Sequence, residues 1–161
     1  MNVSYERPGP VEYADRKKGE VDMNVSYERP GPVEYAELRR LAGLAPLEET
    51  LAEAGLNGSI FTVVVRDENS RLLGMGRIVG DGACYFQVVD VLVHPSCRDQ
   101  GTGIEDTLMK EIVRYLEENT SEGSQVIVIS DTPGIRLYKS FGFKLMYPDF
   151  YGMSRITRPP V

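Results

Sequence analysis

Arg98-Asp99-Gln100-Gly101-Thr102-Gly103 is the stretch that decides the fold, because of what stands on either side of it. The apolar run Val88-Val89-Asp90-Val91-Leu92-Val93 leads in, and a helical pattern beginning at Ile104 leads out. A strand, a glycine loop and a helix N-terminus in that order form an anion site. The first-turn N–H groups have no partner within the helix, and the helix dipole favours negative charge there. Gly101 and Gly103 allow the backbone to approach a phosphate closely. The stretch therefore predicts a phosphorylated ligand held by the amides of Asp99, Gln100, Gly101, Thr102, Gly103 and Ile104, with Arg98 adding a charge-assisted contact.

Two familiar glycine loops fail on the residues. A P-loop needs Gly-Lys followed by Ser or Thr, whereas Gly103 is followed by Ile104 and Glu105. A dinucleotide fingerprint needs a small residue where Asp106 stands, and a tighter turn than His94 to Gln100 provides. Outward from the loop, β-branched and alternating runs predict strands at 60–66, 72–79 and 85–93, joined by the turns Asp67-Glu68-Asn69-Ser70 and Gly80-Asp81-Gly82. Such short turns imply an antiparallel meander. The stripe Ile104, Leu108, Ile112, Tyr115 and Leu116 predicts a helix over 104–119, and a buried strand follows at 125–130. A helix between strands 85–93 and 125–130 makes that pair parallel by a right-handed crossover. Upstream, a short strand at 25–28 precedes helices at 33–44 and 47–56; downstream, a helix at 135–141 ends at Gly142 and a hairpin of 143–147 with 151–156 closes the chain. The expected class is α/β, a mixed and mostly antiparallel twisted sheet with helices on both faces.

The 161 residues suit one domain, with 42% hydrophobic and 26% charged residues. A net charge of −6 argues against a basic nucleic-acid surface, and neither a long apolar segment nor a signal-peptide pattern is present. A cytoplasmic protein without membrane or nucleic-acid partners is the expectation. Two cysteines, Cys84 and Cys97, and one histidine offer neither a bridge framework nor zinc spacing, so no metal is expected. Residues 1–14, MNVSYERPGPVEYA, recur unchanged at 23–36. Residues 1–22 are read as a duplicated extension or artefact, with Met23 as the ancestral start; a strand that swaps with its copy or pairs with another subunit, as in a homodimer, is the alternative.

Arg98-x-x-Gly101-x-Gly103 resembles motif A of the GNAT superfamily of acetyl-CoA-dependent N-acetyltransferases. Val93-His94-Pro95 resembles the family's strand exit, and Leu137-Tyr138-Lys139-Ser140-Phe141-Gly142-Phe143 its C-terminal L-Y-x-x-x-G-F motif. The likeness spans roughly residues 24 to 157, making 23–161 the N-acetyltransferase domain. In the GNAT fold the two parallel central strands splay apart and the pantetheine arm enters the gap. The resemblance implies transfer of an acetyl group from acetyl-CoA to the primary amine of a small molecule, by direct attack in a ternary complex. A protein or peptide N-acetyltransferase and a non-catalytic acyl-CoA-binding regulatory module are the alternatives.

On the same resemblance, Val91, Leu92 and Val93 offer backbone groups to the pantetheine, and an N–H near Leu92 polarises the thioester carbonyl. Tyr138 lies near the cofactor sulfur, either protonating the thiolate or packing on it. Asp90, a carboxylate in mid-strand, is either the proton acceptor, through a water, or a buried structural group. His94 reads as an exposed loop residue, and Cys97 as a loop thiol with no histidine beside it. Gln100 stands where the family often has Lys or Arg, which shifts weight to backbone donors, and Asp131 stands where relatives often have an Asn. Tyr85, Phe86, Tyr147 and Tyr151 are candidate acceptor-site walls, with core packing or a dimer interface as alternatives.

Overall fold

The computed structural model describes residues 23–98, 103–155 and 157. The extension 1–22 and the loop residues Asp99, Gln100, Gly101 and Thr102 lie outside them. The chain divides into two compact units, one ending at Val128 and the other beginning at Ile129.

In the first unit β1 (Asn24–Ser26) is followed by α1 (Pro32–Leu41) and α2 (Glu49–Asn57). The strands β2 (Phe61–Arg66), β3 (Leu72–Gly80) and β4 (Tyr85–Val93) come next, then α3 (Pro95–Arg98), α4 (Ile104–Asn119) and β5 (Gln125–Val128). The sheet order is β1-β2-β3-β4-β5, antiparallel throughout except for the parallel pair β4 and β5. Aspartates at the turns explain the meander. Asp67 Oδ1 accepts the N–H groups of Asn69 and Arg71, each at 2.9 Å. Asp81 Oδ1 accepts those of Ala83, Cys84 and Tyr85 at 2.9, 2.8 and 3.0 Å. Each side chain thereby replaces ladder partners that a tight reversal removes. The β4–β5 pairing runs from Tyr85↔Gln125 to Val88↔Val128, while β4 continues to Val93.

Helices cover both faces. Tyr35 and Leu38 of α1 and Ala52 and Leu56 of α2 form one core with Val64, Leu72, Met75 and Leu92. On the other face α4 buries Ile104, Leu108, Ile112, Tyr115 and Leu116, the predicted stripe. Phe61 stacks on Tyr115 with ring centroids 4.4 Å apart. Gly74 sits beneath α4, where a Cβ would lie 2.6 Å from Ile104 Cγ2, so a missing side chain sets how closely α4 packs.

Two expectations shift. α1 ends at Leu41, not at 44, because Gly43 takes φ +82. The N–H groups of Gly43 and Leu44 then turn back to the carbonyls of Arg40 and Arg39, each at 3.0 Å, which closes the helix with a Schellman cap. The strand expected as buried at 125–130 ends at Val128 and is only partly buried.

In the second unit α5 (Ile135–Ser140) is the one regular element among the described residues. The predicted hairpin of 143–147 with 151–156 is not formed among them, residue 156 lying outside. Leu145, Met146, Tyr147, Phe150, Tyr151 and Met153 are exposed, so the segment lacks the burial that offsets the entropy of ordering an isolated two-stranded ribbon.

Candidate active site

β4 carries one residue too many. Gly74 pairs with Val93 and Met75 with Leu92, but Arg77 pairs with Val89. Asp90 and Val91 thus stand opposite Gly76 alone, a β-bulge that disrupts the ladder locally and leaves a backbone group unpaired. Asp90 takes φ +51, a left-handed conformation uncommon outside glycine and asparagine or aspartate. The bulge falls just beyond the last β4–β5 pair, where the resemblance places the thioester.

The Asp90 carboxylate is 5% exposed and held by three donors. Arg39 Nη1 donates to Oδ1 at 2.6 Å. Arg77 Nε and the Tyr35 hydroxyl donate to Oδ2 at 2.7 and 2.6 Å. Arg77 is fixed in turn: Nη1 reaches the Gly55 carbonyl at 3.0 Å and Ser59 Oγ at 3.1 Å, and Nη2 reaches the Tyr35 oxygen at 3.3 Å. Burial and the adjacent carboxylate push the Tyr35 phenol up, so it stays a donor. With three of about four lone-pair positions taken, Asp90 has the surroundings of a structural carboxylate. Tyr35, Arg39 and Arg77 were not singled out from the sequence. The available signal was a lone arginine inside strand 72–79 and a lone aspartate inside strand 85–93, opposite charges on neighbouring strands of a meander.

At the strand exit His94 is half-buried, not an exposed loop residue, because its N–H donates to the Leu73 carbonyl at 2.7 Å and ties it to β3. Arg71 Nη2 lies 2.8 Å from Nε2, and a guanidinium only donates. On the other side of the ring Nδ1 lies 2.7 Å from Ser96 Oγ and 3.2 Å from the Ser96 backbone N, whose N–H points to it. Burial first, then the Arg71 charge, hold the imidazole below its ordinary pKa, with Glu37 acting the other way. Ser96 Oγ also lies 3.7 Å from Cys97 Sγ, so a serine links the thiol to a histidine that the sequence reading did not bring near it. Arg98 ends α3 with its side chain exposed.

Gly103 caps α4 at φ +69, with no side-chain cap bond. Among the described residues no side chain caps the first-turn donors of this 16-residue helix, which have no partner within the helix itself. A Cβ on Gly103 would meet nothing within 4 Å among the described residues. Ile104 itself is buried. Val91 is half-buried, whereas Leu92 and Val93 pack into the core and offer only backbone. Phe86, a candidate wall, is 1% exposed and belongs to the core, while its neighbour Tyr85 is exposed. Strand alternation turns the two to opposite faces.

In the second unit Tyr138 lies in the last turn of α5, half-buried. Gly142 takes φ +87; its N–H donates to the Lys139 carbonyl and that of Phe143 to the Tyr138 carbonyl, both at 3.1 Å. The spacing of tyrosine, glycine and phenylalanine is that of a Schellman cap, and the Tyr138 and Phe143 rings supply its apolar contact. Asp131 Oδ1 accepts the Gly134 N–H at 2.9 Å, a turn ahead of α5. Tyr147 and Tyr151 are exposed and meet edge to face.

The known proteins that this chain resembles are named as acetyltransferases. Residues 39–153 match the acetyltransferase (GNAT) domain family. An uncharacterised N-acetyltransferase of Schizosaccharomyces pombe is 36% identical over 94 residues, 55% of this chain and 55% of that protein. The chain therefore spans about half the length of that relative. A probable acetyltransferase of Staphylococcus aureus, of unknown function, superposes with a TM-score of 0.79 at 37% identity over 84% of this chain and 100% of its own. A predicted acetyltransferase of Clostridium acetobutylicum, solved with acetyl-CoA, shares the fold at 15% identity and a TM-score of 0.64, over 83% of this chain and 96% of its own. No helix among the described residues is long and apolar enough to cross a membrane.

Proposed function

The chain belongs to the GNAT acetyltransferase family, and from that premise we propose that it moves an acetyl group from acetyl-CoA to the primary amine of a small molecule, by direct attack in a ternary complex. The observation that carries this reading is the bulge at Asp90 and Val91, which interrupts the β3–β4 ladder just past the end of the β4–β5 pairing.

The residues present fit acetyl-CoA. The N-terminus of α4, opened by Gly103 without a side-chain cap, suits a pyrophosphate, and Arg98 is exposed at the end of α3. Asp99, Gln100, Gly101 and Thr102 are proposed to add backbone donors. Acetyl-CoA supplies the activated acetyl thioester when bound. Val91, Leu92 and Val93 hold the pantetheine through backbone groups, and the N–H near Leu92 stabilises negative charge on the carbonyl oxygen, where preorganised donors act most strongly. Tyr138 Oη returns a proton to the leaving thiolate; a phenol near pKa 10 and a thiol near 8.5 make that transfer roughly balanced. The Asp90 carboxylate, held by two guanidiniums, anchors the bulge, and the amine loses its proton to water.

Thiol release from acetyl-CoA against a panel of amines, for the native chain and Tyr138→Phe, tests this. Amine-dependent release that collapses in the variant supports both parts. Equal release removes the Tyr138 role and keeps the enzyme. No acetyl-CoA binding by calorimetry overturns the reading.

A further inference from the structure

A β-bulge does not require a buried carboxylate. Glycine takes φ near +50 without steric cost, and bulges commonly use it. This chain instead places an aspartate at φ +51 and brings donors from two other elements onto its carboxyl group. Tyr35 and Arg39 stand one turn apart on α1, and Arg77 reaches across from β3 while holding the Gly55 carbonyl of α2. The bulge is thereby tied to α1, α2 and β3 together. Stability does not account for the arrangement, since taking two guanidiniums and a carboxylate out of water costs about what their attraction returns. Position does: one guanidinium hydrogen bond on each carboxylate oxygen, with the Tyr35 hydroxyl, fixes where Asp90, and so the next two peptide groups, lie.

We propose that Tyr35, Arg39 and Arg77 are positioning residues for acetyl transfer, holding the β4 bulge through the Asp90 carboxylate so that the backbone donor at Val91 faces the thioester carbonyl. The inference rests on the proposed function and deepens it. Arg77 makes four hydrogen bonds, whereas Arg39 makes one and leaves a buried Nε unpartnered. Arg77 is therefore the principal anchor.

Anchoring and proton removal predict opposite results for glycine at position 90. If the carboxylate only secures a strained backbone, a glycine makes the anchor dispensable. The experiment compares the native chain, Tyr35→Phe, Arg77→Met and the triple variant Asp90→Gly/Arg39→Met/Arg77→Met. It reads kcat and KM for acetyl transfer, thermal melts, and the amide NMR shifts of Val91 and Leu92. Arg77→Met is expected to lower kcat roughly tenfold or more, with little change in the acetyl-CoA KM and both amide shifts displaced. Tyr35→Phe, which keeps its ring in the core, is expected to do the same more weakly at an unchanged melting temperature. The triple variant is expected to recover most of kcat and the native shifts. A triple variant as inactive as Arg77→Met, or amide shifts that the anchor variants leave in place, would overturn the proposal. The shifts decide the anchoring even if no acceptor turns over, so its failure is distinguishable from failure of the acetyltransferase reading.

Discussion

The Phe143 N–H donates to the Tyr138 carbonyl at 3.1 Å, and the two rings meet edge to face with centroids 5.9 Å apart. The residue proposed as proton donor is thus also the third-from-last position of a helix and half of that helix's apolar cap. Gly142, between them at φ +87, has no atom within 4 Å of where a Cβ would be, so its requirement is conformational. Gly142→Ala is expected to cost about 1–2 kcal/mol and to lower kcat as the Tyr138 ring loses its seat. Gly142→Asn, which tolerates the left-handed region, is expected to be milder on both. Thermal melts with initial rates check this; an alanine variant of native stability contradicts it.

Gly103 presents the same conformation at the other end of a helix, at φ +69 before α4. Gly103→Ala strains the backbone that aims the first-turn N–H groups. Acetyl-CoA affinity is expected to fall about tenfold, measured by calorimetry. Unchanged affinity would remove the N-terminus of α4 from the cofactor site.

Gly74 and Gly76 both lie under α4, but their surroundings differ. A Cβ at 74 would meet Ile104 Cγ2 at 2.6 Å, the Leu92 carbonyl oxygen at 3.1 Å and Leu108 Cδ1 at 3.2 Å. At 76 the close contact is the end of one flexible side chain, Ile112 Cδ1 at 2.7 Å. Gly74→Ala is expected to destabilise by about 1–3 kcal/mol and to weaken acetyl-CoA binding, because Ile104 opens α4. Gly76→Ala is expected to cost less and to spare binding. Denaturant unfolding of the two variants gives the order, and the reverse order would contradict the packing argument.

His94 is held below its ordinary value of 6.5 by burial and by Arg71. As pH falls, the unfolded chain takes up the proton first. The stability that His94 supports is complete above 6.5 and is lost as pH falls from there toward the folded-state pKa. Melting temperatures at about pH 7.5 and about pH 5.5 are expected to differ more for the native chain than for His94→Gln. Equal differences would show that Arg71 and burial do not restrain the ring.

Most of the fold was legible in the residues. The β4 and α4 boundaries were read as they stand, because apolar periodicity and turn aspartates are local signals. The site was legible only in part. Asp90 stood out as a charge in an apolar run, yet its partners lie 55, 51 and 13 residues away at Tyr35, Arg39 and Arg77. The alternation around Tyr85 and Phe86 was visible too, but a period of two does not say which of its two faces meets the core.

Local chemistry by itself determined the meander, the parallel crossover and the glycine-opened helix, since turns, caps and stripes are set by neighbours along the chain. Tertiary structure alone decided that β4 bulges at Asp90, that Tyr35, Arg39 and Arg77 close on its carboxylate, and that the tail after Phe143 forms no hairpin among the described residues. The physical reason is shared. Strand register and side-chain pairing depend on how distant segments pack, and that free energy belongs to no single stretch of sequence.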